Sequence, residues 1–260
     1  MDHPPRPDGR AGDRLGRVWS LVARQAADRG GQVSAGDACA AVVPAVGVTG
    51  AWLSAARDGT AGHLMRVTDG VGEELAGLQL TLGEGPSLDA AASGGPVLAP
   101  DLAGSESGRR WPTFAPAAVT AGAPAVFAFP LRVGAIRVGV LGLYRDKPGP
   151  LNTIQLGDAL IFADTATLLL LDAQDQGTGD PGPRAGPGGQ PPDLALHRAE
   201  IDQATGMLTE QLGVSITAAF VRLRAYAYVN DLRLADVARD IVARRLWLRP
   251  EPRPSGDSDG

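Results

Sequence analysis

Apolar positions along this chain switch between helical and strand spacing, and each switch marks an element. From Asp13, Leu15, Val18, Leu21, Val22 and Gln25 recur at threes and fours until Gly30-Gly31 stops the run. Ser34 is placed to N-cap a second helix whose face carries Ala38, Ala41 and Val42. Val46–Ala55 and His63–Thr68 then predict two antiparallel strands, joined through Arg57-Asp58-Gly59. A Gly-rich loop around Leu82–Ser87 leads to a short strand at Pro96–Leu98. Ala123–Val133 and Ile136–Tyr144 make the clearest strand pair, turning at Gly134, and Pro148-Gly149-Pro150 ends it. Leu151–Asp172 returns to helical spacing through Leu156, Leu160, Ala163, Thr167 and Leu171. This order predicts an α+β domain with an antiparallel central sheet and helices on one face.

The stretch 177–192 is built of Gly, Pro and small polar residues and cannot sustain either period. As a flexible coil of about 16 residues it would span roughly 20–25 Å. Beyond it the helical period resumes three times. Asp193–Leu212 carries Ile201, Ala204, Leu208 and Leu212 on one stripe, with Gly213 as its end signal. Ser215 is placed to cap a helix bearing Ala219, Phe220, Leu223 and Ala227, and Asn230-Asp231 turns into a third with Leu234, Val237, Ala238 and Ile241. None of these helices is long enough to be stable alone, so they predict a small three-helix bundle. The expected organisation is a disordered tail over 1–12, a first domain over 13–175, a linker over 176–192, a second domain over 193–249 and a disordered tail over 250–260.

Charge changes the picture only locally. The chain carries a net −5, but residues 194–249 hold eight arginines against six carboxylates, a local +2 that leaves −7 elsewhere. That balance permits nucleic-acid contact without predicting it. Cys39 is the sole cysteine, which excludes an intrachain disulfide and a Cys-based metal cluster; on its Ala-rich helix it reads as a small buried hydrophobe. His3, His63 and His197 fall in separate regions and no Gly-x-Ser-x-Gly elbow occurs, so no catalytic or metal site and no cofactor is expected. Met1–Arg6 lacks the apolar core of a signal peptide, and the longest apolar stretch, around Leu168–Leu171, is short of the roughly 18 residues a bilayer span needs. A cytoplasmic protein with no membrane partner is the expectation.

Candidate chemistry in the first domain is sparse. Gly83 and Gly85 beside Glu84 suggest positive φ or close backbone approach, in a turn beside the sheet or a lid over a ligand. Trp52, Trp111 and Phe114 are candidates to line a small-molecule pocket, with a plain core role as the alternative. Adjacent Glu73 and Glu74 read as a solvated turn.

Two stretches carry a family resemblance. Ile-Asp-Gln-Ala-Thr-Gly-Met-Leu at 201–208 and Leu-Arg-Ala-Tyr-Ala-Tyr at 223–228 resemble the ANTAR family of RNA-binding antiterminator domains. Ala204, Gly206, Leu208, Gly213, Ala219, Leu223, Arg224, Ala227, Leu234, Val237 and Ala238 match its pattern, whereas Thr205 stands where many relatives have lysine. The first domain resembles a GAF sensor through Leu82-Gly83-Glu84-Gly85-Pro86-Ser87, Gly95-Pro96-Val97, Arg110-Trp111-Pro112, Phe127–Leu131 and Gly139–Tyr144. Ser87 replaces a cysteine common in relatives. The ANTAR resemblance implies binding to paired hairpins in a nascent transcript, and two hairpins imply two copies of the module, hence a homodimer. The GAF resemblance implies control by a signal, with a small-molecule ligand as one form of it.

Structured RNA is read by stacking and hydrogen bonding, for which Arg and Tyr are suited. Arg224 and Tyr228 stand at i and i+4 on one flank of the second helix's apolar stripe, while Arg222 and Tyr226 lie on the other. Arg224 with Tyr228 is the first choice; Gln203, Thr205, Arg233 and Arg222 are the further RNA-contact candidates. Two other readings remain. The bundle could be a DNA-binding helix-turn-helix, although Asp236 and Asp240 would then meet phosphate. The first domain could bind a small molecule, as a sensor with protein partners or as an enzyme.

Overall fold

Alternation with period two gives the central sheet two apolar faces, and helices cover both. The computed structural model describes residues 8–57, 60–175, 192–230 and 232–248. The chain divides into two compact units, Met1–Ala195 and Leu196–Gly260. In the first unit the elements run α1 (Asp8–Arg29), α2 (Ala35–Val46), β1 (Gly50–Arg57), β2 (Thr60–Val67), α3 (Gly70–Leu82), α4 (Pro86–Ser93), β3 (Val97–Ala99), α5 (Ser105–Arg110), α6 (Phe114–Thr120), β4 (Ala125–Val133), β5 (Ile136–Arg145) and α7 (Thr153–Asp175). The strands form one antiparallel sheet in the order β2-β1-β5-β4-β3. The α+β class is as the sequence implies.

Residues of one parity, including Ala51, Leu53, Phe127, Phe129, Leu141 and Leu143, pack against α1, α2 and α7. Those of the other parity, Trp52, Val126, Ala128, Val140 and Tyr144, pack against α3 to α6. The expectation of helices on one face is therefore corrected. Helices α4 to α6 are only 8, 6 and 7 residues long, and α3 and α4 end on left-handed Gly83 and Gly94 at φ 72° and 71°. Helices α4 to α6 have no large-residue stripe to announce them, whereas α3 carries Val71, Leu75, Leu78 and Leu82 at helical spacing, a stripe interrupted in the sequence by glycines. Glu73 and Glu74 sit in α3, not in a turn. At the sheet, Trp52 pairs with Gly142, and a Cβ on that glycine would run into the indole ring. Close approach is what this position requires of glycine.

Some boundaries differ from expectation. Val46 closes α2, with Gly47 as a left-handed cap, so the first strand begins four residues later, at Gly50. Backbone from Asp8 is already helical, inside the stretch expected to be disordered. Expectations for 1–7, 176–191 and 249–260, like the Asp58-Gly59 turn, lie outside the described residues. Contrary to the sequence expectation, one helix is long and apolar enough to cross a bilayer: Thr153–Ala173 of α7, 21 residues with mean hydropathy 1.5. Its Ala159, Phe162, Ala163, Ala166 and Leu170 lie in the core, and its outer side adds Ile154, Leu160 and Leu168. A helix apolar on its buried side and partly on its outer side passes a composition test without a bilayer.

Candidate nucleic-acid interface

The second unit is a bundle of α8 (Pro192–Leu212), α9 (Ile216–Val229) and α10 (Leu234–Val242). Gly213, at φ 62°, ends α8, and the Ser215 hydroxyl accepts the Ala218 N–H at 3.2 Å to start α9. Ile201, Ala204, Leu208, Leu223, Val237 and Ile241 are buried between the helices. Leu212 and Phe220, expected in the buried stripe, are only half-buried. Across the bundle Arg239 of α10 donates to Glu200 of α8 at 3.2 Å and to Asp236 at 3.1 Å. This fixes α10 against the first helix.

The candidate contacts fall out unequally. Tyr228 is 54% exposed. Arg224 is half-buried, with its guanidinium 5.9 Å from the centroid of the Phe220 ring. Burial pulls its pKa below the ordinary arginine value. An arginine so displaced is still a cation near neutral pH. Arg222 and Tyr226 are half-buried. Gln203 is exposed on α8, and exposed Arg233 is the N-cap residue of α10. Thr205 is a correction: it is 5% exposed and its hydroxyl donates to the Ile201 carbonyl at 2.7 Å. A small hydroxyl in a helix closes on its own i−4 carbonyl, so Thr205 offers nothing to a ligand.

Two arginines on α10 and just beyond it are held by carboxylates. Arg245 donates to Asp240 at 2.6 Å, and Asp236 holds Arg239. The outer side of α9 is apolar as well as aromatic, with Val221 53% and Val229 79% exposed. Beyond α10, Trp247 is 62% exposed. Sequence reasoning passed over Trp247 because no helical or strand period includes it.

In the first unit the Gly83–Pro86 stretch is a latch. Gly83 and Gly85 both have positive φ, at 72° and 135°. Between them Glu84 Oε1 accepts the backbone N–H groups of Thr113 and Phe114 at 2.6 and 2.7 Å. The side chain of Gln79, through Oε1, accepts the N–H of Ser87 at 2.7 Å. Trp52, Trp111 and Phe114 are packed inside the layer between the sheet and α3 to α6, at 1%, 3% and 0% exposure. Trp111 donates its indole N–H to Asp89 at 3.1 Å. A cavity of about 540 Å³ opens elsewhere, between α2 and β2, lined by Cys39, Pro44, Thr49, Arg66, Thr68 and Asp69. None of the three aromatic candidates lines it. Burial pushes the Cys39 thiol up to about 12, and burial lowers the Arg66 pKa. Among the described residues no group of three or more His, Cys, Asp or Glu could hold a metal.

The architecture is thus an α+β unit followed by a helical unit with an Arg/Tyr-bearing middle helix. Residues 195–242 match the family model of the ANTAR domain. No curated protein matches the chain. Among solved structures, the chain is similar to the GAF domain of an Acinetobacter phosphoenolpyruvate-protein phosphotransferase at 15% identity, covering 68% of this chain and 99% of that one with a TM-score of 0.47. It is also similar to the GAF domain of the corresponding Coxiella burnetii protein at 12% identity, with 63% and 98% coverage and a TM-score of 0.45. A domain of a two-component sensor histidine kinase protein from Sinorhizobium meliloti 1021 matches at 18% identity, with 54% and 90% coverage and a TM-score of 0.43.

Proposed function

We propose that this chain is a signal-responsive transcription antitermination regulator whose second unit binds structured RNA. The observation that carries the reading is the ANTAR match over 195–242, which spans all three helices of that unit. Arg224 and Tyr228, one helical turn apart on α9, supply a cation and an exposed phenol ring, the chemistry that engages phosphate and unpaired bases. Gln203 and Arg233 extend the surface, with Arg222 on the opposite flank. The first unit acts as the sensor, in keeping with the GAF-like motifs in its sequence and a small-molecule ligand as one form of signal. The regulator works in the cytoplasm as a homodimer, each copy taking one hairpin of a tandem pair, and linkage raises the affinity of two weakly charged modules.

The test is to crosslink the protein to RNA in cells and sequence what is attached. Recovered reads should concentrate on tandem stem-loops upstream of a terminator. Recovery of no RNA above a mock control would overturn the reading. The helix-turn-helix alternative draws less support, since Asp236 and Asp240 hold Arg239 and Arg245 and so commit the arginines that a recognition helix would turn to phosphate.

A further inference from the structure

The segment after α10 does not trail away from the bundle. Ala243 is the C-cap of α10, and Arg244 follows at φ 57°, the one described residue other than glycine with positive φ. The N–H of Arg245 donates to the Asp240 carbonyl at 2.8 Å, and that of Leu246 to the same carbonyl at 3.1 Å. This is a Schellman-type helix end, in which the left-handed position is normally glycine. Four residues on, Leu248 is 9% exposed and its carbonyl accepts the Gln211 side-chain N–H at 2.6 Å, at the far end of α8. The segment is therefore pinned at both ends. Between the pins Trp247 stands 62% exposed, its neighbour Leu248 facing inward.

Two local choices here run against stability. A side chain in the left-handed region costs free energy that glycine would not. Leaving an indole in water forfeits the burial that the adjacent leucine obtains. Both lie outside the residues that match the ANTAR family, so the shared bundle does not require them. We propose that Arg244 and Trp247 form a nucleic-acid contact in which the indole stacks on an unpaired base and the guanidinium meets phosphate. The inference rests on the RNA-binding reading and adds a second contact to it. Arg244 is exposed, and the neighbouring acid Asp240 is occupied by Arg245, so the charge presented beside the indole is positive. Gln211, at the end of α8, holds this contact by the start of α9, whereas Tyr228 lies near the other end of that helix. At about 1.5 Å per residue, the twelve residues from Ile216 to Tyr228 separate the two ends by about 18 Å along the axis. Trp247 is thus held by the α8–α9 junction while Tyr228 lies near the far end of α9, so the two rings suit separate unpaired positions of one folded RNA.

The experiment uses the full chain and a dye-labelled RNA of two hairpins with unpaired loops, titrated by fluorescence anisotropy over a range of salt. Trp247→Ala should weaken binding by about 5- to 100-fold, the range that one base stack supplies, and Trp247→Phe should retain most of it. Arg244→Gly should raise the unfolding midpoint, because glycine relaxes the left-handed position, yet weaken binding and reduce the salt slope by about one phosphate contact. A merely structural role would move stability and affinity in the same direction. If Arg224→Ala weakens binding while all three of these variants bind like the parent, the RNA reading stands and this contact is overturned. If the parent binds no hairpin RNA, both fall. If Trp247→Ala splits an oligomer and leaves RNA affinity unchanged, the indole is a protein contact and the proposal fails.

Discussion

Glu84 reaches across to the start of α6 and accepts the Phe114 N–H at 2.7 Å, with the Thr113 N–H at 2.6 Å on the same oxygen. A sequence fragment that resembles a ligand loop is thereby committed to holding two helices together. A carboxylate at a helix N-terminus satisfies donors that have no partner within the helix. Glu84→Gln keeps the shape but removes the charge, and should lower stability by about 1–3 kcal/mol. Denaturant unfolding followed by circular dichroism would read this; an unchanged midpoint would remove the latch role.

Gly142 is the position where the sheet tolerates least. A methyl group there meets the Trp52 ring, and the strand around it is buried on both faces. Gly142→Ala should cost about 1–3 kcal/mol through overpacking, more if the indole cannot shift. Near-ultraviolet circular dichroism would show the tryptophan environment change, while Gly108→Ala, in open space on α5, should leave it alone.

Acid sensitivity should trace to Asp37. Burial pushes its carboxyl up, but hydrogen bonds from Arg29 at 2.8 and 2.9 Å and from Ser34 outweigh this and hold it below the ordinary carboxylate value. Its folded pKa is depressed, so its contribution is complete above the unfolded value and is lost as pH falls through the folded one. In a pH titration of unfolding, Asp37→Asn should be less stable than the parent at neutral pH and should flatten the loss below about pH 4. Parallel curves for the two proteins would contradict this.

Cys39 offers a clean readout of the α2 face, since it is the only thiol in the chain. It is 1% exposed, and its pKa is raised from 9.0 to about 12, first through burial. The native protein should therefore react slowly with a thiol reagent at pH 8 and rapidly once unfolded. The sign for stability is the reverse of the Asp37 case: the contribution is whole below pH 9.0 and declines as pH rises towards the folded value. Rapid native labelling would mean that the face between α2 and β2 opens readily.

Apolar periodicity, helped by cap residues such as Ser34 before α2, made α1, α2, the two strand pairs, α7 and the three C-terminal helices legible in the sequence. In helices of about two turns or fewer the signal vanished: α4 reads Pro-Ser-Leu-Asp-Ala-Ala-Ala-Ser, and its helical state follows from the proline at its start and the glycine at its end. Missing α3 to α6 is what put helices on one face only. The site followed the same rule. Arg224 and Tyr228 could be placed on one flank from spacing alone, whereas the inward turn of Thr205 depends on its own helix supplying an acceptor. Trp247 is exposed because Leu248 beside it is anchored by Gln211, a contact 37 residues distant in sequence.

Arg224→Ala should leave the helical spectrum intact and weaken RNA binding by about 1–3 kcal/mol, with Tyr228→Ala acting in the same direction. Loss of helix in both variants would make them packing residues, not contacts.

The central claim is tested most directly by titrating the full chain, in equal salt, with a tandem-hairpin RNA and with duplex DNA of matched length. A clear preference for the RNA, reduced by Arg224→Ala, is the predicted result. Equal or tighter binding to the duplex would contradict it.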